Sequence, residues 1–136
     1  MKYKIIPDLT SDVMFEAYGA DIKELFANAA EALFSIICQP DRIGQADSRM
    51  IEASGNGYED LLFNWLQELI AAVDIEVMFF SRFEILELDQ NHVIARCYGE
   101  DAKPEKGGTV VKAVTNYGYK LEKTESGWIA RVALDI

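Results

Sequence analysis

Trp128-Ile129-Ala130-Arg131-Val132-Ala133-Leu134-Asp135-Ile136 is the stretch that decides the fold class. Trp128, Ala130, Val132 and Leu134 fall on one side of an extended chain, and Ile129, Arg131, Ala133 and Asp135 on the other. Alternation with a period of two marks a half-buried strand. A strand running to Ile136 is expected to fix a main-chain carboxylate beside the Asp135 side chain, because chain ends are loose unless tied into structure. Two anionic groups held together are an incomplete set of oxygen ligands for a hard cation. A third acid, Asp12, stands near the other end in Thr10-Ser11-Asp12-Val13. The same three residues also fit a turn in which the aspartate bonds to its own backbone. On the residues alone that turn is the favoured reading.

Upstream of the terminal strand, short turns separate a series of extended segments. The pattern predicts strands over 77–80 and 81–88, the latter with a phase shift that implies a bulge near Ile85. Further strands are predicted over 92–99, 109–115 and 119–123, with turns at Asp89-Gln90-Asn91, Asn116-Tyr117-Gly118 and Ser126-Gly127. The segment 100–108, with Pro104 and Gly107-Gly108, reads as a loop. Tight turns between consecutive strands imply antiparallel pairing. Two further strands are expected over 12–18 and 49–53.

Each of those two is followed by a helical pattern. Ile22, Leu25, Phe26, Ala29, Ala30, Leu33, Phe34 and Ile37 recur at helical spacing, starting at Asp21 and closed by Pro40. Leu61, Leu62, Trp65, Leu66, Leu69, Ile70 and Val73 do the same over 58–75, after a break at Gly55-Asn56-Gly57. The predicted class is α+β: two amphipathic helices packed on a mostly antiparallel β-sheet, one domain over 1–136. No internal repeat or linker is evident at this level.

Composition narrows the function classes. The 136 residues carry 23 acids against 13 Lys and Arg, a net charge of −10. That balance works against direct binding of nucleic-acid phosphates or anionic membranes. A basic protein partner or a bound cation fits it better, while charge that serves only solubility is the default reading. Cys38 and Cys97 are isolated and show no metal spacing, so they read as buried small hydrophobes. No apolar run is long enough to span a bilayer and no secretory signal opens the chain, which predicts a cytoplasmic protein.

The inventory of reactive groups is short. His92 is the only histidine, so a three-histidine zinc site is excluded, and a strand-end role is its default. Gly55-Asn56-Gly57 lacks the lysine and spacing of a phosphate loop. Lys112, in Val110-Val111-Lys112-Ala113-Val114, is either a solvent-facing residue or a charge partner for nearby carboxylates.

The chain as a whole resembles the archease family. The likeness is carried by Leu9-Thr10-Ser11-Asp12-Val13, Glu16-Ala17-Tyr18-Gly19, Asn28-Ala29-Ala30 and Asp60-Leu61-Leu62-Phe63-Asn64-Trp65-Leu66. It continues through Pro104-Glu105-Lys106, Val111-Lys112-Ala113-Val114-Thr115 and Gly127-Trp128 to Leu134-Asp135-Ile136. The resemblance implies an activator of an RtcB-type tRNA-splicing RNA ligase, promoting ligase guanylylation and multiple turnover, and not itself an enzyme. It implies a divalent cation, Ca2+ first and Mg2+ or Mn2+ as alternatives, held by Asp12, Asp135 and Ile136. Lys112 is expected to face the partner. Three departures stand out: Leu9 and Gly107 occupy positions where the family usually has histidine, and Asn116-Tyr117 replaces a Tyr-His pair. They leave the oxygen ligands in place and remove imidazoles that could support them. The alternatives are a small metal-dependent hydrolase using Asp12 and Asp135, and a general chaperone-like binding protein.

Overall fold

Glu16-Ala17-Tyr18-Gly19 and Glu52-Ala53-Ser54-Gly55 lie 36 positions apart, and each ends a strand that turns directly into a helix. The computed structural model describes residues 1–6 and 12–136. In it, β1 is Tyr3–Ile6 and β2 is Val13–Gly19, followed by α1 at Ile22–Ile37. The second copy is β3, Asp47–Ser54, followed by α2 at Tyr58–Glu76. A Cβ on Gly19 would collide with the main chain of Leu25, and one on Gly55 with that of Leu61. Only glycine permits the helix to start so close to its strand.

The equivalence continues into the helices. Glu24 Oε1 accepts from Ala20 N–H at 3.3 Å, and Asp60 Oδ2 from Asn56 N–H at 2.9 Å. Leu25, Phe26, Ala29, Ala30 and Leu33 are buried in α1, and Leu61, Leu62, Trp65, Leu66 and Leu69 in α2. The absence of an internal repeat expected from the sequence is therefore corrected. A strand–glycine–helix unit occurs twice, concealed because the buried side chains differ in size while their positions match.

The remaining strands are β4, Met78–Leu88; β5, His92–Asp101; β6, Ala113–Thr124; and β7, Gly127–Asp135. All pairings are antiparallel. They form a four-stranded sheet in the order β1-β2-β7-β6 and a three-stranded sheet in the order β3-β5-β4. Both helices contact both sheets, α1 chiefly β2 and β4, α2 chiefly β3 and β6. The α+β class holds, with the strands divided between two sheets that enclose the helices. That explains why α1 is buried well beyond a single stripe, with Asn28 itself 5 % exposed. Phe34 packs edge-on to Phe80 of the three-stranded sheet, and one core continues to Phe15 and Val132 of the other.

Several strand boundaries differ from the pattern reading. The bulge near Ile85 is present, with a second register shift after Phe80, so β4 is continuous where two strands were expected. Asn116-Tyr117-Gly118 does not separate two strands. Thr115 pairs with Ala133 and Lys120 with Arg131, which makes the segment a three-residue excursion inside β6. Gly118, at φ 62°, supplies the left-handed residue that the excursion requires. Residues 109–112 lie outside β6. β1 is a four-residue edge strand that the alternation was too short to reveal.

Cys38 and Cys97 are buried and unpaired, and burial pushes both thiols up to about 12. Among the described residues, no helix is long and apolar enough to cross a membrane.

Candidate metal-binding tip

β7 runs between β2 and β6, antiparallel to both. Val13 pairs with Leu134, and Ala113 with Asp135. The Lys112 N–H donates to the Asp135 carbonyl at 2.8 Å. The start of β2, the start of β6 and the end of β7 therefore share one end of the four-stranded sheet. Asp12 immediately precedes β2 and Asp135 ends β7, so the β2–β7 register leaves both at the same end of the sheet. The topology thus brings Asp12, Lys112, Asp135 and Ile136 to one tip, although Asp12 stands far from the other three in sequence. Asp12 is half-buried, while Lys112, Asp135 and Ile136 are exposed.

The tip rests on a small apolar plug. Met14 and Ala133 pair across β2–β7 and are 8 % and 0 % exposed. They alternate with the core-facing Phe15 and Val132, so they lie on the opposite side of the sheet. The excursion in β6 reaches over that side: a Cβ on Gly118 would stand 3.4 Å from Met14 Cε. Tyr117 N–H donates to Thr115 Oγ1 at 2.8 Å, which leaves the Tyr117 ring 59 % exposed beside the plug.

Farther along the same face, an ion-pair network ties three strands together. Arg131 Nη2 and Nε donate to Glu16 Oε2 at 2.6 and 3.2 Å, and Tyr18 Oη donates to Glu16 Oε1 at 2.8 Å. Lys4 Nζ of β1 stands 3.7 Å from the same carboxylate. The Arg131 hydrogen bond, then that of Tyr18, holds the Glu16 carboxyl below its ordinary value. Burial, reinforced by Glu16, pushes the Tyr18 phenol up to about 12. Sequence reasoning did not single out this network, because Glu16 and Arg131 are 115 residues apart and only the strand register joins them.

The donors at the tip suit a hard ion. Carboxylate and main-chain oxygens match calcium, magnesium or manganese, whereas zinc or copper would call for imidazole or sulfur. Among the described residues, no three His, Cys, Asp or Glu side chains gather into a metal-sized group. The described side chains at the tip supply two acids, Asp12 and Asp135, and the main chain of Ile136 stands beside them. Calcium completes six to eight oxygen ligands with water, so such a set fits it.

The other expected positions distribute as follows. Leu9 lies outside the described residues. Gly107 forms an isolated bridge with Cys38 at the end of α1. His92 opens β5 opposite Ser54, half-buried at the strand end. Lys112 is exposed, and its main-chain N–H bonds to Asp135 at the tip.

Comparison with known proteins places this architecture. Residues 3–136 match the model of the Archease protein family (MTH1598/TM1083). The chain is 33 % identical to protein archease of Methanosarcina mazei, over 99 % of this chain and 96 % of that protein. It is 34 % identical to protein archease of Archaeoglobus fulgidus over the full length of both. Its fold is similar to the solution structure of protein 1598 of Methanobacterium thermoautotrophicum, at a TM-score of 0.82 and 30 % identity over 99 % of each chain. An archease and possible chaperone from Thermotoga maritima shares the fold at a TM-score of 0.64 and 20 % identity, covering 96 % and 95 % of the two chains. The family match over residues 3–136 and relatives above 30 % identity over nearly the whole length decide the family: this chain belongs to the archease family.

Proposed function

We propose that this protein activates an RtcB-type tRNA-splicing RNA ligase, promoting its guanylylation and multiple turnover, and is not itself an enzyme. The observation that carries the reading is the register that gathers Asp12, Asp135, Ile136 and Lys112 at one sheet end. In this reading Asp12 and Asp135, with the main-chain oxygens of Ile136, hold a divalent cation, most simply Ca2+. A bound cation supplies positive charge that links the two strand ends and can engage anionic oxygens of a partner's site.

The residues of the tip do the rest. The Met14–Ala133 plug and the β6 excursion back the strand ends that carry the two acids. Lys112, exposed and anchored through its backbone, presents a positive charge next to them. The acidic remainder of the surface favours encounter with a basic RNA-handling protein, an effect on association rate more than on affinity. Binding shifts the ligase toward the conformer competent for guanylyl transfer only if the tip binds that conformer more tightly. A cytoplasmic location, without direct contact to nucleic acid or membrane, belongs to the same reading.

The rate of GMP transfer from GTP to the ligase, with and without this protein, tests it. Acceleration that is lost on chelation and in Asp12→Ala supports the reading. An unchanged rate with a competent ligase removes it.

A further inference from the structure

A cavity of about 340 Å³ lies where the two helices end. Ile37 of α1 and Ile70, Val73 and Asp74 of α2 form one side, and Phe79 and the segment 107–111 the other. The volume falls within the range of ligand sites, and the walls are mainly apolar, which is the usual make-up of such a site. The segment forming the outer wall is fixed: Gly108 N–H donates to Ile37 O and Thr109 N–H to Ile36 O, each at 2.8 Å. A Cβ on Gly108 would stand 2.5 Å from Ile36 O, so this wall could not pack as closely with a larger residue. These backbone bonds fasten the outer wall of the cavity to the end of α1.

Its charge is specific. Neither helix carries a basic residue in its last turn, although cations are favoured at that end of the helix dipole. α2 instead ends with Asp74 and Glu76. Arg49 Nε donates to Glu76 at 3.1 Å, whereas no hydrogen bond or ion pair engages Asp74 among the described residues. An apolar recess thus opens beside a carboxylate and the negative end of a helix. Val110 on the same wall is 80 % exposed, and Ile75 next to Asp74 is 76 % exposed.

We propose that this cavity is a docking site for an apolar side chain flanked by a lysine or arginine on a protein partner. The apolar group enters between Ile70, Val73 and Val110, and the cation settles on Asp74 at the end of α2. The segment 107–111 leads directly into Lys112, so the cavity and the tip are joined by one stretch of chain. A partner could engage both. The proposal extends the partner-binding reading above and takes from it that the occupant is a protein.

The test uses the full chain with labelled isoleucine and valine methyls, titrated with two capped peptides, acetyl-Leu-Arg-Lys-amide and acetyl-Leu-Glu-Glu-amide. The expected result is saturable shifts at the methyls of Ile70, Val73 and Val110 with the basic peptide, in the millimolar range. Binding should be about tenfold weaker for the acidic peptide and for Asp74→Lys. Asp74 is exposed, so that variant should fold, and its spectrum verifies this. Equal response to both peptides, undiminished binding by Asp74→Lys, or no saturable shift at these methyls overturns the proposal. Ligase stimulation by the wild type, measured separately, distinguishes the two readings. Stimulation without peptide binding removes the cavity proposal alone; peptide binding without stimulation removes the ligase.

Discussion

Asn28 and Asn64 occupy equivalent positions in two copies of one strand–glycine–helix unit, and each ties its helix back to the preceding strand. The Nδ2 of Asn28 donates to the Tyr18 carbonyl at 2.7 Å, and that of Asn64 to the Ser54 carbonyl at 2.8 Å. The environments differ, because Asn28 is buried and the bond of Asn64 is exposed. A carbonyl orphaned in the interior is costlier than one that water can reach. Asn28→Ala should therefore destabilise by about 1–3 kcal/mol and Asn64→Ala by about 0.5–1 kcal/mol. Urea unfolding of both variants measures this; equal losses would show that the two copies are packed alike.

The tip should behave as a linked binding site. If Asp12 and Asp135 hold calcium in the folded chain only, saturating Ca2+ raises stability by about 2.7 kcal/mol at a hundredfold excess over Kd. For a chain of this size that is a rise in Tm on the order of 10 °C. Asp135→Ala should abolish the rise while leaving the Tm in chelator nearly unchanged. Thermal melts with calcium and with chelator decide it, and an undiminished rise in the variant would place the ion elsewhere.

Glu16 provides a pH-dependent contribution whose sign is fixed by its environment. Arg131 and Tyr18 lower its folded pKa, so the stabilisation is fully present above the ordinary carboxylate value, near 4.3. It is lost as pH falls through the lowered folded value. At neutral pH Glu16→Gln should cost about 1–2 kcal/mol, since hydrogen bonds to a charged group are replaced by weaker ones. The gap between wild type and variant should close as acid protonates the wild-type carboxyl. A gap that stayed constant from pH 7 to pH 3 would show that the loss is steric.

Val77 ends α2 in the left-handed region at φ 52°, where a β-branched residue is strained. It is also 59 % exposed, so its side chain contributes little packing. Val77→Gly should raise stability by about 1 kcal/mol, because glycine is at ease in that conformation. Loss of stability on this change would mean that the valine side chain makes contacts more valuable than the strain.

The helices were legible from their 3.6-residue period, sharpened in α1 by the cap at Asp21 and the stop at Pro40. The faces of β7 were legible for the same kind of reason, and so was the bulge near Ile85. Alternation gives a strand its faces and says nothing of its partner. The division into two sheets, the pairing of β2 with β7 and the Glu16–Arg131 contact were therefore hidden. The repeat was masked by substitutions such as Ala29 against Trp65, which keep burial and change volume. The acids of the tip could be named from the family resemblance; the cavity, assembled from four elements, had no local signature at all.

Multiple-turnover ligation by a purified RtcB-type ligase, with and without this protein and with its Asp135→Ala variant, tests the central claim most directly. The account predicts many products per ligase with the wild-type protein and a return to the unassisted level with the variant. Equal ligation in all three reactions, by a ligase active under the same conditions, would contradict it.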